Sequence, residues 1–380
     1  MDNLTHSLVG LAAAKSGLER LSPGATALCV LAANSPDADI VVLVFRDRWS
    51  FLQHHRGISH ALVGTLVLSI LLPLLFLACD FIISKIRKRR LQVRFVPLLI
   101  VSLLVTFTHP LLDWTNNYGI RPFLPWSSNW FYGDFVFIVD PFIWLILGSG
   151  CFLLTTRTRF LRLVWLFLGI VLTLFIVFNP RGGNFPYPWV LRAIWLTTML
   201  GLVLLFIKKV GDRLGPKLAI TSLVVVVAYW GALMFAHSRA EERAFEQATV
   251  VAGKDEKVSR LAAMPTLANP FGWDCVFETD KATYRFHLTL GAEAPVSRIV
   301  KYEKPAGPLD RVLREISEDR RTQIFLGFAR FPVAKLSAQD CTSQTFVQLA
   351  DLRYTEPGTS RGTFTLELPI DCSTTLTVNP

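Results

Sequence analysis

The chain has 380 residues, of which 52% are hydrophobic types and only 18% are charged. Soluble domains carry about a quarter charged residues, so a wholly soluble globular enzyme is excluded. The formal net charge of +10 sits in short runs between apolar stretches, which is the pattern of cytoplasmic loops in a membrane protein and not of a nucleic-acid-binding face. No nucleic-acid partner is indicated.

Residues 1–6 lack a basic leader, which argues against a cleavable signal peptide. Residues 4–18 read as a short apolar helix. Ser22-Pro23 forms an N-cap and first-turn pair that opens a second one over 22–33. It ends at Asn34-Ser35-Pro36-Asp37-Ala38-Asp39, and another apolar run, Ile40 to Phe45, follows. Neither helix clearly reaches the roughly 20 residues that span a bilayer, so both are expected to be re-entrant, interfacial or tucked against a bundle. Six spanning helices are predicted next, at about 61–83, 95–113, 135–156, 160–178, 190–207 and 218–236. Helices are required because every amide in lipid must be satisfied inside its own segment.

The loops alternate in charge. Segments 84–94, 157–162 and 208–217 are basic, whereas 114–134 holds only Arg121 and 179–189 only Arg181 among basic residues. The positive-inside rule then places the basic loops in the cytoplasm. The expected location is a bacterial cytoplasmic (inner) membrane, crossed several times, with an extracytoplasmic, periplasmic tail. The tail opens with a polar helix near 238–251. A two-residue alternation typical of strands follows at Thr283–Leu290, Thr345–Leu349 and Thr363–Leu368, and a charged helix is expected near 308–320. The fold class is therefore a polytopic α-helical membrane protein with a C-terminal soluble β-rich or α+β domain. Its regions are 1–150, which carries the candidate metal site and first spans, 151–237, with further transmembrane helices, and 238–380, the outer domain. Cys29, Cys79 and Cys151 lie in apolar surroundings; Cys275, Cys341 and Cys372 lie in the tail, where an oxidising compartment would let two of them pair. No CxxC spacing exists, which argues against a zinc-thiolate site.

Five of the seven histidines, His6, His54, His55, His60 and His109, fall in the first 110 residues. Their acidic companions are Asp37, Asp39, Asp113, Asp134 and Asp140. Under this topology all ten approach the outer ends of helices. Ionisable groups near membrane depth are costly unless paired or bound. His109 and Asp113, four apart, share a helix face and can hold a divalent cation or simply bond each other. His55-Arg56-Gly57-Ile58-Ser59-His60 places two histidines five apart, and Gly57 permits a bend that aims both inward. Arg56 suits a phosphate through its rigid donor fork, or lipid headgroups as part of an interfacial basic patch. Asp37 and Asp39 repel unless a cation or base intervenes; their i,i+2 spacing points to Asp37 alone as a direct ligand, the alternative being a capped turn with solvated acids. Asp134 and Asp140 flank the start of the third predicted span and could bind metal or orient a liganding histidine; Asp134 reads equally as a plain solvated acid. Asn116 and the aromatic loop Trp114–Tyr132 would form a substrate entrance or an interfacial aromatic belt. His237 and His287 read as structural. No GxSxG elbow, phosphate-cradling glycine loop or HExxH helix is present.

Thr5-His6-Ser7, Ser35-Pro36-Asp37-Ala38-Asp39, His55 to His60 and His109-Pro110-Leu111-Leu112-Asp113 together resemble the family of LexA-regulated, membrane-bound metal-dependent hydrolases over about residues 1–150. That family is in turn distantly similar to zinc-dependent phospholipase C and S1/P1-type nucleases, helical enzymes whose zinc ions are held by histidines and aspartates. The resemblance implies that the His-x-x-x-Asp pair of those enzymes falls on His109 and Asp113, with His6, Asp37, His55 and His60 as the other early ligands. Those enzymes carry further histidines after the pair, whereas no histidine lies between Asp113 and His237 here. Asp134 or Asp140 would then substitute, or fewer ions bind.

The expected function is a membrane-bound metal-dependent hydrolase at the outer face of the cytoplasmic membrane. It would use one or two divalent ions, zinc foremost, on a phosphoester or phospholipid-like substrate. Arg56 would neutralise the phosphate, and Asp39 or Asp140 would take the water proton or orient a ligand. The alternatives are an ion-binding transporter and a non-catalytic, metal-stabilised scaffold. A transporter should carry polar groups deep in several spans, and the spans after Asp140 are almost free of them.

Overall fold

A computed structural model describes residues 1–178, 188–292, 296–336, 345–358 and 364–370. The chain divides into two compact units: Met1–Asp39, Arg56–Phe235 and Thr266–Pro270 form one, and Ile40–His55, Ala236–Pro265 and Phe271–Pro380 the other.

The first unit is a helical bundle. Its helices are α1 (Asn3–Lys15), α2 (Ala25–Asn34), α5 (Leu62–Ile86), α6 (Phe95–Thr106), α7 (Thr108–Trp114), α8 (Pro141–Thr155), α9 (Arg159–Phe178), α10 (Pro188–Ile207), α11 (Val210–Leu214) and the front of α12 (Pro216–Ala252). The short helices α3 (Val42–Phe45) and α4 (Arg48–His54) belong to the second unit.

Among the described residues, six helical runs are long and apolar enough to cross a membrane: Ala25–Phe45, Leu62–Ile86, Phe95–Trp114, Arg159–Phe178, Pro188–Ile207 and Pro216–Ala252. Five agree with the sequence expectation and one differs. The predicted span at 135–156 is a helix of 15 residues, Pro141–Thr155. In its place stands Ala25–Phe45, which the sequence reading ended at Pro36. Pro36 supplies no amide proton to the ladder, yet the chain does not leave the helix. It tightens into a 3-10 stretch, Ser35–Val41, and resumes as α3.

Helix α1 runs through the middle of the bundle. On one side Ala14 packs with Ala25, Leu28, Cys29, Ala32 and Ala33 of α2 and with Leu98, Val101 and Val105 of α6. On the other, Leu8, Val9 and Ala12 join Ile143, Leu147 and Cys151 of α8 and Trp195 of α10. Small residues make the close approach possible. A Cβ on Gly10 would lie 2.5 Å from the Cys29 carbonyl oxygen and 2.9 Å from Ala33 Cβ. In lipid such close packing, and not water exclusion, drives helix association. The outer faces of α5, α9 and α10 are lined by exposed large apolar side chains, among them Leu75, Phe167, Leu174 and Leu200, as embedding in a bilayer requires.

The bundle has two distinct ends. At one, Arg94 N–H donates to Ser22 Oγ (2.9 Å) and the Arg94 guanidinium to the Arg20 carbonyl (3.5 Å). Asp80, near the end of α5, accepts the Gln92 and Val93 amides (2.7 and 2.9 Å) and the Arg89 guanidinium (2.6 Å). This basic end collects the C-terminus of α1 and the N-termini of α2 and α6. The other end therefore collects the N-termini of α1 and α5, the C-terminus of α2, and α7.

The second unit contains the β structure. Strands β1 (Val258–Thr266), β2 (Asn269–Thr279), β3 (Ala282–Thr289) and β4 (Val300–Glu303) form one sheet in that order, and β5 (Pro332–Leu336), β6 (Thr345–Asp351) and β7 (Thr365–Ile370) form another. The register sets Cys275 opposite Phe286 and Phe277 opposite Tyr284. Alternation along β2 sends Trp273, Cys275 and Phe277 against an alanine stripe on the rear of α12, Ala240, Ala244 and Ala248. Val276, with Ala262 and Met264, faces Val333 and Ala350 of the second sheet. The fold is thus three layers, helix on sheet on sheet. The polar helix expected at 238–251 is the continuation of the last span, because no helix breaker separates them. The charged helix expected at 308–320 is α13 (Pro308–Glu315), followed after a 3-10 turn by α14 (Arg320–Phe328). Cys275 is a buried free thiol; Cys341, Cys372, Thr363 and Arg181 lie outside the described residues.

Gly10→Ala should lower the thermal unfolding midpoint in detergent, since the new methyl meets backbone and a cost of about 1–3 kcal/mol is expected. Gly148→Ala in α8, where an added Cβ meets open space, should leave it unchanged or raise it, because glycine is a poor helix former.

Candidate metal centre

Four side chains from three separate stretches meet at the end of the bundle opposite the basic loops: Asp37, His60, His109 and Asp113. Their placement follows from local chain geometry. Asp37 sits on the first turn of the 3-10 stretch that continues α2. His109 and Asp113 share one face of α7, and their atoms Nε2 and Oδ2 are 3.4 Å apart. His60 ends a 3-10 turn, Ile58–His60, just before α5. Gly64 lets that turn lie flat on the helix, for a Cβ there would meet the Ile58 carbonyl oxygen at 1.8 Å.

The four donor atoms form a compact polyhedron. His60 Nε2 and His109 Nε2 are 3.1 Å apart. Asp37 Oδ1 is 3.3 Å from the first and 3.5 Å from the second. Asp113 Oδ2 is 3.3 and 3.4 Å from the same two atoms. All four groups offer ligand atoms within 4.8 Å of one another. A point equidistant from such a set lies roughly 2.0–2.4 Å from each atom, which overlaps the distances zinc takes to imidazole nitrogen and carboxylate oxygen.

The hydrogen bonds behind these residues fix which atoms face inward. His109 Nδ1 is 2.6 Å from the Ala33 carbonyl oxygen, and a carbonyl only accepts, so Nδ1 carries the proton. In the neutral ring Nε2 then presents its lone pair to the cluster. His60 Nδ1 lies 3.4 Å from Asp39 Oδ2 and 3.0 Å from Ser59 Oγ, which likewise turns Nε2 inward. Asp113 Oδ2 accepts no hydrogen bond although it is buried. Two imidazole lone pairs and two carboxylate oxygens facing one another repel unless a cation stands between them. A metal ion supplies it; protons on the imidazoles are the other means.

Arg56 is built into the support of this cluster. It is 2% exposed. Its Nη2 donates to Asp113 Oδ1 (2.9 Å), and its Nη1 reaches the carbonyls of Asp113 and Gly119 (both 3.2 Å) and Asn116 Oδ1 (3.0 Å). The guanidinium also stacks on Tyr118, 4.6 Å from the ring centre. The Met1 amino group contacts the same Asp113 oxygen. Gly57, at φ −86° and ψ −133°, lies outside the helical and extended regions, as a bend there requires, and Arg56 beside it takes φ 50°. Such a backbone costs about 1–2 kcal/mol in a non-glycine residue and is held by the guanidinium contacts.

His6 is fully buried, with its ring stacked on His109 at 3.7 Å between centroids. Its Nε2 lies 3.4 Å from Asp113 Oδ1, on the side away from the polyhedron, and neither ring nitrogen completes a hydrogen bond. Burial, reinforced by the adjacent His109 ring, pushes the His6 pKa down to about 3, so the ring stays neutral at physiological pH. Asp2 caps α1 through the Thr5 amide (3.0 Å) and takes the Trp144 indole proton (3.1 Å), which anchors the helix that carries His6.

The other sequence candidates lie outside these four donors, although Asp37, Asp39 and His55 offer a second set of ligand atoms within 4.8 Å of one another. Asp39 stands behind His60. His55 caps the end of α4 in the second unit, its ring stacked on Phe51 at 4.6 Å. Asp140 is the N-cap of α8, accepting the Phe142 and Ile143 amides (2.8 and 3.3 Å) and the Tyr229 hydroxyl (3.0 Å). Asp134 is buried with φ 57° and is not among the donors of the cluster. Sequence reasoning missed the Ala33 carbonyl as the group that sets the His109 tautomer. A backbone acceptor leaves no trace in side-chain spacing.

With this geometry in place, comparison with known proteins covers part of the chain. The chain is 28% identical over 156 residues to the uncharacterized protein YfhP of Bacillus subtilis (strain 168), a match that covers 38% of this chain and 43% of that protein. No solved structure matches. Residues 1–182, which contain every donor of the cluster, match the model of the YdjM inner membrane protein family.

Proposed function

We propose that the protein is a membrane-bound metal-dependent hydrolase acting on a phosphoester, phospholipid-like substrate at the outer face of the cytoplasmic membrane. The observation that carries this reading is the set of four electron-rich atoms, Asp37 Oδ1, His60 Nε2, His109 Nε2 and Asp113 Oδ2, gathered 3.1–3.5 Å apart in the five distances above. Two imidazoles and two carboxylates suit zinc. Bound there, the ion would lower the pKa of a coordinated water and polarise an ester oxygen. Asp39 orients His60, Arg56 holds Asp113, and His6 lies against both His109 and Asp113. Arg56 thus serves as a positioning residue, since its donors are directed to protein acceptors. Asp37 is the most exposed donor, with 14% of its side chain accessible, and marks the side from which water and substrate would approach. The basic loops at the opposite end of the bundle support an outer location for the site.

A second reading, a metal-stabilised scaffold, draws support from the donor count. Four protein ligands close a tetrahedral zinc site, whereas catalytic sites keep a position for water. Hydrolysis would require a five-coordinate ion or release of Asp37. Transport is less favoured, because Asp80, at the far end of α5, is committed to the Gln92 and Val93 amides and to Arg89 and offers a moving cation no second carboxylate station.

Purified protein should contain about one zinc per chain and should hydrolyse a chromogenic phosphodiester or a detergent-dispersed phospholipid. His109→Ala should lose both properties. Metal binding without turnover would select the scaffold, and metal-free wild-type protein would sink both readings. Asp39→Ala should weaken zinc affinity about 10–100-fold, as removal of a carboxylate behind a liganding histidine does. Asp140→Asn, which keeps a capping side chain on α8, should leave affinity unchanged in the same titration. Zinc must also displace protons from the histidines, so its affinity should fall as pH falls. Calorimetry in two buffers of different ionisation enthalpy would detect that proton release.

A further inference from the structure

Two of the three stretches that build the cluster are joined by a strap, residues 40–55, and the contacts of that strap are with the tail domain. Asp37 and Asp39 lie at its start; Arg56, Ser59 and His60 lie at its end. The Arg56 amide donates to Asp39 Oδ2 (3.1 Å), so the base of the strap is closed beside the ligands. Its far part, α4, packs against α14. The Arg320 guanidinium donates to Ser50 Oγ (2.8 Å) and approaches Asp47 Oδ2 (3.6 Å). The Arg48 guanidinium donates to the Thr365 carbonyl of β7 (3.3 Å). Asp47 in turn caps α4 through the Ser50 amide (2.8 Å).

These contacts differ in weight. Arg320 and Asp47 are 57% and 53% exposed, and an ion pair that open to water contributes little. Ser50 is only 5% exposed, and Trp49 and Leu52 are 8% exposed. The buried serine with its arginine donor and the packing of α4 on α14 therefore hold the strap in the tail domain. Exposed Phe45 and Val44, 77% and 74% accessible, contribute nothing to that grip.

We infer that the tail domain is a positioning element of the metal centre. By clasping the strap it fixes the path of the chain between Asp39 and Arg56, and so the bond at the base that sets Asp39 behind His60. This inference rests on the reading of the cluster as a metal site. It gives the tail a task for that site, exerted through chain continuity and with no ligand of its own.

The test uses the full-length protein with the double substitution Ser50→Ala and Arg320→Ala. Arg314→Ala, whose side chain is 77% exposed and pairs with Asp310 within α13, serves as a control in the same domain. Zinc affinity is measured by titration, and the visible spectrum of the cobalt(II)-loaded protein reports ligand geometry. The double variant should bind zinc about tenfold more weakly, in the range seen when ligand-supporting contacts are lost. Its cobalt spectrum should shift, and Arg314→Ala should match wild type in both. Arg48→Ala, which removes the separate contact to β7, should move affinity in the same direction. A lowered thermal midpoint of the tail with affinity and spectrum unchanged would overturn the inference, since it would leave the contacts a purely structural role. Failure of wild type to bind either ion would overturn the metal reading beneath it.

Discussion

Four mutually repelling donor atoms, packed within bonding reach of one point at the buried end of a helical bundle, are the constraint to which much of the surrounding architecture answers. A polar cluster of this kind is costly in a bilayer protein unless a cation holds it. The neighbouring groups each remove one freedom from it. The Ala33 carbonyl chooses the tautomer of His109, Asp39 and Ser59 choose that of His60, and Arg56 occupies the outer oxygen of Asp113 so that the inner one remains for the cluster.

Packing serves the same end. Helix α1 carries His6 and is too short to span, yet it occupies the centre of the bundle, with α2 on one flank and α8 on the other. Gly10 lets α1 and α2 approach so closely that Ala33, one residue before Asn34, comes within reach of His109. The close contact of two helices and the orientation of a ring on a third are thus one geometric fact.

Much of this was legible in the sequence, and what was not has physical reasons. The spans after residue 60 could be read because twenty apolar residues in succession have few other uses. The i,i+4 spacing of His109 and Asp113 declared a shared face, and Asp37 with His60 could be recognised as their company by type. The run through Pro36 was misjudged, because a proline that ends an α-helix can begin a 3-10 one. The Arg56 fork reads from sequence as a contact for phosphate or for lipid headgroups. Its acceptors are mostly backbone carbonyls and an asparagine some sixty residues away, and no local pattern encodes those. Asp140 looked like a catalytic acid, but Asp-Pro at a helix start is also a cap, and its bonds to the Phe142 and Ile143 amides make it one.

The strap has a further consequence, in the order of synthesis. Ser50 meets Arg320, 270 positions later in the chain, and Arg48 meets Thr365 after 317. At the usual pace of about 5–20 residues per second, that interval is on the order of fifteen seconds to one minute. In its later part, once Asp113 has emerged, every donor of the cluster has left the ribosome while the grip on the strap does not yet exist. The nascent protein therefore passes through a stage in which its centre is complete in composition and still loose in shape.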